Sequence, residues 1–485
     1  MSIIAKYKFD KSIYENLIPE FNEGYTGYTI SDEIDSENSN HVIRTISHDN
    51  MKPTLMRFGQ VWQEGAVLGG ARYESLLEII SLDTSALTNM HSMFRSCFNV
   101  YRINTDGWDT RNVTEMRQTF TRCYSLTSID VSNIHVTGVL YAYFSQCINL
   151  TEIIGLDTWD TSNVTNMEHM FHNCYNLTSL DLSNWDVSNV ANMFYMFSYC
   201  NNLTTIGDVS NWNTSKVTDM SQMFFNCQSL TSLDMSNWNT GKVTNVHQMF
   251  HNCHAIKSVG NIRNFITNKS TTMKGLFENC YALKDIDTSN WDVSNVDTME
   301  YAFEECQSLT TLDLSDWNIK STCVTVAMLT SCGVKTIYMY NSDYASVNRI
   351  IEQLPQVDNA ELYIGGIDSL GSVNLSGARA KNWSVINKYK VAKYKFDKSI
   401  YENLIPEFNE GYTGYTISDE IDSENSNHVI RTILGNSLPT SMIFGVMNPN
   451  PVEDKHKCLL DVAYVNIDNI VNMHSMFRYC INLYQ

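Results

Sequence analysis

Cys97, Cys123, Cys147, Cys174, Cys200, Cys227, Cys253, Cys280, Cys306 and Cys332 follow one another at intervals of 24–27 residues. A regular series of thiols could ligate metal, close disulfides or fill a core. Structural metal sites converge on one point and usually draw two cysteines from within a few residues of each other. One cysteine per unit makes a column instead. On stacked strands ~4.8 Å apart the Cβ vectors would run parallel, a poor approach for a disulfide. Free cysteine behaves as a small hydrophobe. A buried ladder is therefore expected, with an occasional disulfide or a metal site as the alternatives. Cys323 and Cys458 lie off this register.

Other reactive side chains give weaker signals. His247, His251 and His254 have a spacing that could place three nitrogens on one helical face. They flank Phe250 and Cys253, so a solvated face beside the core is expected rather than a metal centre. Trp108, Trp159, Trp185, Trp212, Trp238, Trp291 and Trp317 also fall in register, but Ile134 and Phe265 fill the same slot elsewhere. A slot that accepts any apolar bulk reads as core rather than as a sugar-stacking stripe. No nucleophile elbow, phosphate loop, zinc-protease helix or dinucleotide fingerprint is present, and no cofactor or enzymatic activity is expected.

What positions these residues is a repeat of about 26 residues. Phe94, Phe120, Phe144, Phe171, Phe197, Phe224, Phe250, Phe277 and Phe303 each precede a register cysteine by three. Apolar residues follow most of the cysteines by three, as Leu177 follows Cys174. Leu177, Leu180 and Leu182 spell Leu-x-x-Leu-x-Leu, a strand with alternate side chains inward. Asp186 and Ser188 are turn formers. Thr165 could cap a short helix whose apolar face holds Met167, Met170 and Phe171 at i, i+3, i+4. Each unit then reads as strand, turn and short helix. It cannot bury its apolar side alone, and stacked units share one core.

"LTSLDLSNWDVSNV" and "MFHNC" resemble the bacterial surface protein 26-residue repeat, the BspA-like leucine-rich repeats, over roughly Ser81 to Val334. The resemblance implies an α/β solenoid, a leucine-rich-repeat right-handed superhelix of about ten units with β-rich flanking modules. It also implies binding or adhesion, and it carries no catalytic residues. The x positions of the strands would face out on the concave sheet. There stand Ser128, Asp130, Ser132, Ser179, Asp181, Ser183, Ser232, Asp234, Ser236, Asp287, Ser289, Asp313 and Ser315, the candidate ligand surface. A merely solvated polar sheet is the alternative. Some units are one residue longer and contain Gly155, Gly207 or Gly260, which suggests bulges.

Residues 5–46 recur identically at 392–433. The expected organisation is a β-rich capping module over 1–80, the solenoid over 81–334 and an α/β cap over 335–391. The duplicated module would take 392–465, with a truncated repeat fragment, expected to be protease-sensitive, at 466–485. "ARAKNWSV" and the duplicated module resemble segments of phage and prophage tail-associated proteins.

The chain of 485 residues is 43% apolar and carries a formal charge of -20. An acidic surface disfavours nucleic acid as a partner. Neither a signal peptide nor a run of about 18 apolar residues is read here, so no membrane insertion is expected. A surface-type solenoid without these export features suggests a virion component released by lysis, a tail-associated protein that binds a host-cell surface protein or glycan. The duplicated β module would then dock on other tail or baseplate proteins. A bacterial surface adhesin and a structural spacer are the alternatives.

Overall fold

The computed structural model describes residues 2–22, 24–49, 51–60, 73–263, 265–288, 290–315, 317–340, 342–365 and 370–387. Beyond these it describes the segments 389–397, 407–408, 415–421, 428–435, 442–443 and 459–465. The chain forms two compact units, one of residues 1–312 and 319–334, the other of 313–318 and 335–485. The truncated repeat fragment expected at 466–485 lies outside the described residues.

The first unit begins with β1 (Ser2–Asp10), β2 (Glu20–Phe21), β3 (Thr29–Ile34), β4 (His41–His48), β5 (Met56–Arg57) and β6 (Leu76–Leu82). The hairpin of β3 and β4 lies beside β1, and β6 closes the antiparallel part of the sheet. Tyr7, Phe9, Val42 and Ile46 face inward, as strand alternation requires. The sheet then changes character, because β6 pairs in parallel with Arg102–Ile103 of the first coil. Phe58 stacks on Phe94 with ring centroids 5.8 Å apart, so the module supplies the first rung of the solenoid core.

Two short parallel ladders link coils of the solenoid. The first runs through the leucine-rich strand: Ser128–Asp130 pairs with Glu152–Ile154, Ser179 bridges to Thr205, and Ser232 to Ser258. The second runs from Leu55 through Asn89 to Glu115, and from Asn166 through Asn192, Asp219, Asn245, Thr272 and Thr298 to Val324. Thr165, expected as a helix cap, lies in a strand of this second ladder (Val164–Asn166) and donates its hydroxyl to the Gly138 carbonyl at 3.3 Å.

The segment expected to be helical is a pair of tight turns, so the solenoid is a β-solenoid with little helix. In a helix, amides bond four residues back along the same segment. Here alternate amides leave the coil. His169, Phe171 and Asn173 donate to Phe194, Met196 and Ser198 of the next coil at 2.9, 2.8 and 2.8 Å. Between them, Met170 and Cys174 close turns on Met167 and Phe171 at 3.2 and 3.1 Å. Two left-handed residues per coil make this possible, His169 at φ 57° and Asn173 at φ 61° in this one. Left-handed backbone costs a non-glycine residue ~1–2 kcal/mol. The hydrogen bonds between coils, each worth about 1 kcal/mol, offset it.

The core is a set of columns. From Phe94 to Phe303 the phenylalanine rings stack at centroid distances of 5.2–5.9 Å. Register cysteines, methionines, leucines and tryptophans are buried beside them. Burying one such large apolar side chain contributes roughly 1.5–3 kcal/mol.

In the second unit, Thr336–Tyr338, Ala360–Tyr363 and Trp383–Ile386 form a parallel sheet. Helices Tyr344–Gln353 and Leu375–Ala380 connect the strands. Asp343 caps the first helix on the Ser346 amide at 2.6 Å, and the helix ends just before Pro355. The duplicated sequence repeats the fold of its original. Tyr389–Asp397 pairs with His428–Gly435 and with Leu459–Val465 in the registers of β1 with β4 and β6. Arg431 pairs with Asp419 as Arg44 pairs with Asp32.

Candidate functional site

Tight stacking of one coil on the next leaves the outward positions of each strand free to meet a ligand. Ser128, Ser179 and Ser232 occupy such positions and are exposed. Ser179 and Asp181 line a shallow groove of about 690 Å³ together with Glu152, Thr178 and Thr205. Hydroxyls and carboxylates stand beside Ile153 and Leu180 in the lining, which suits hydrogen bonding to a polar partner.

The aspartates do a second thing that sequence reading missed. Asp181 Oδ1 accepts from the Ser183 amide at 3.1 Å and from its hydroxyl at 2.7 Å. The same closure joins Asp130 to Ser132 at 2.9 and 2.6 Å, and Asp234 to Ser236 at 2.9 and 2.5 Å. Asp-x-Ser is thus a turn that locks its own chain. The Ser183 hydroxyl and amide hold the Asp181 carboxyl below the usual carboxylate range.

The serine of this turn is used twice. Ser183 Oγ also accepts from the Asp208 amide of the next coil at 2.8 Å, and Ser236 Oγ from the Asn261 amide at 2.8 Å. The glycines of the longer units sit over these locks. Gly207 has φ +83°, and a Cβ there would fall 2.6 Å from both Asp181 Oδ1 and Ser183 Oγ. Gly155 meets Ser132 and Gly260 meets Asp234 and Ser236 in the same way. The readable signal was the pairing of Asp-x-Ser in one unit with glycine in the next.

Not every expected residue joins the groove. Asp234 stands two coils beyond Asp181, roughly 10 Å at strand spacing. Asp287 is exposed, and Ser289 lies outside the described residues. Asp313 and Ser315 belong to the second unit. Ser315, expected to face outward, is buried at 7% exposure. Its hydroxyl donates to Asp313 at 2.6 Å and accepts from the Tyr340 amide at 3.3 Å, which draws it under the chain.

The thiols are core donors. All register cysteines are free and buried. Cys174 Sγ donates to the Phe144 carbonyl of the preceding coil at 3.1 Å, and Cys147, Cys200 and Cys253 repeat the bond at 3.0, 3.2 and 3.1 Å. Burial pushes the Cys174 thiol well above its ordinary range, and Cys332 up to about 12. Indole N–H groups behave likewise: Trp185 donates to Leu156 O at 2.9 Å and Trp238 to Val209 O at 2.9 Å. Among the histidines, His251 stacks on Phe225 and approaches Glu278 Oε2 at 2.9 Å, while His254 stacks on Tyr281. The described residues hold no group of three His, Cys, Asp or Glu side chains arranged for a metal ion. None of their helices is long and apolar enough to cross a membrane.

A family model described as "Mycoplasma protein of unknown function, DUF285" matches residues 70–143, 138–259 and 255–353, more than half of the chain. No match was found among curated proteins.

Proposed function

The chain belongs to the DUF285 family of repeat proteins, and on that premise we propose that it is a non-enzymatic recognition protein of the BspA-like leucine-rich-repeat kind. The observation that supports this reading is the row of exposed hydroxyls and carboxylates presented at one register position by coil after coil, with the groove around Ser179 and Asp181 among them. A rigid repeated surface loses little conformational freedom on binding, which favours affinity. The ligand class is a cell-surface protein or glycan.

Two carriers are proposed. A tail-associated component of a phage or prophage suits the duplicated module, since modular duplication fits a gene that recombines. A bacterial surface adhesin suits a family described from Mycoplasma. Mass spectrometry of purified particles and of peptides shaved from intact cells separates the two carriers.

The recognition surface itself is tested with Ser179→Lys and Ser232→Lys. These side chains face solvent and lie outside the Asp-x-Ser locks, so the fold should survive. Binding of the labelled full chain to target cells should fall about tenfold, equivalent to ~1.4 kcal/mol. Unchanged binding by the double variant would remove the strand face as the reader and favour a structural spacer.

A further inference from the structure

On the turn face of the first four coils lies a cavity of about 590 Å³, whose walls include Arg95, Arg122, Gln118, Gln146, Tyr141 and His172. It is separate from the strand groove in residues and in chemistry. The volume falls within the range of small-ligand pockets.

The arginines are the anomaly. Five other arginines of the first unit each have a carboxylate, Arg44 with Asp32, Arg57 with Glu20, Arg102 with Glu78, Arg111 with Asp109 and Arg117 with Glu115, while Arg263, whose Nε also lacks an acceptor, is half-buried. Arg95 and Arg122 are held by neutral amides instead. Arg95 Nη1 donates to Gln118 Oε1 at 3.3 Å, and Arg122 Nε to Gln146 Oε1 at 3.0 Å. Arg95 is only 6% exposed, yet its Nε has no acceptor. A buried cation left unpaired is costly. In a chain with a formal charge of -20, carboxylates were available to neutralise it.

The remaining lining is neutral. Burial lowers His91 and His169, and burial together with His169 pushes His172 down to about 4. Near pH 7 these imidazoles offer hydrogen bonds without adding charge. Tyr141 and His169 meet edge to face, with centroids 5.8 Å apart, and add aromatic surface to the cavity.

We propose that this cavity binds an acidic sugar, with its carboxylate held by Arg95 and Arg122 and its hydroxyls by Gln118, Gln146 and the histidines. The guanidinium fork matches a carboxylate in two parallel hydrogen bonds. A bare oxyanion would use the arginines alone, whereas a sugar also meets the amide N–H groups of Gln118 and Gln146 and the rings that line the cavity. The assignment names a ligand class for the recognition function proposed above and relies on that reading for its biological use.

The test is isothermal titration calorimetry of the full chain with glucuronate, glucose and inorganic sulfate. Glucuronate should bind saturably, and glucose at least tenfold more weakly. Arg122→Gln, at a half-buried position, should weaken glucuronate at least tenfold without changing the circular dichroism spectrum or the melting temperature. Arg95→Gln is the second variant and should act in the same direction. Absence of saturable glucuronate binding, or full binding by a folded Arg122→Gln, overturns the site. Sulfate binding as tight as glucuronate overturns the sugar assignment. The loss of glucuronate binding on Arg122→Gln reads this cavity, whereas cell binding by the Ser179 and Ser232 variants reads the strand face, so either proposal can fail without the other.

Discussion

Cys174 gives its thiol hydrogen to a backbone carbonyl one coil back, and its neighbours in register do the same. A buried, protonated thiol is a poor nucleophile, because the thiolate is the reactive form. Alkylation of the native chain followed by peptide mass spectrometry should leave Cys147, Cys174, Cys200, Cys227 and Cys253 unmodified, and denaturant should expose all five. Rapid labelling of Cys174 in the folded chain would contradict the ladder. This residue-scale role was legible in the sequence, because a buried column demands one apolar residue at a constant interval. The role of Asp181 was not. A carboxylate facing a ligand and a carboxylate closing a turn on Ser183 occupy the same outward position, and only the hydrogen-bond geometry separates them.

At the scale of elements, periodicity misled for a specific reason. Met167, Met170 and Phe171 occupy the spacing of a helical face, and a pair of tight turns buries the same three side chains. What distinguishes them is left-handed backbone. Asn173, Asn226, Asn252 and Asn279, each just before a register cysteine, have φ of 60–62°. Asparagine tolerates that region better than most residues, so the recurring Asn-Cys pair was the available clue. Glycine matters equally in the locks. Gly207→Ala would meet two oxygens at 2.6 Å as well as an unfavourable φ, whereas Gly24, at φ +81°, has nothing within 4 Å of a new Cβ. Gly24→Ala should cost only the backbone strain, about 1 kcal/mol. Gly207→Ala should cost more than that, and urea denaturation of the two variants measures the difference. Equal losses would show that the Asp-x-Ser lock yields freely.

For the whole molecule, the solenoid, the N-terminal module and its duplicate were all visible as repeats, since each copies its text along the chain. The second inter-coil ladder was not visible, because Asn166, Asn192, Asp219 and Asn245 look like loop residues and pair through their backbones. From Asp130 to Gly260 the coils alternate between those that carry a hydroxyl lock, Asp130–Ser132, Asp181–Ser183 and Asp234–Ser236, and those that carry Gly155, Gly207 or Gly260 over it. A deletion of residues 178–230 removes one coil of each kind and keeps a lock beneath Gly260. A deletion of residues 178–203 removes a single Asp-x-Ser coil and sets two glycine coils face to face, leaving the Asp208 amide without its Ser183 acceptor. Thermal unfolding should show the longer deletion to be the more stable of the two, although it discards more of the core. The array therefore has parity: unequal exchange within such a gene could lengthen or shorten the protein most safely by even steps, and a stretch that changes by an odd one carries a mismatched seam.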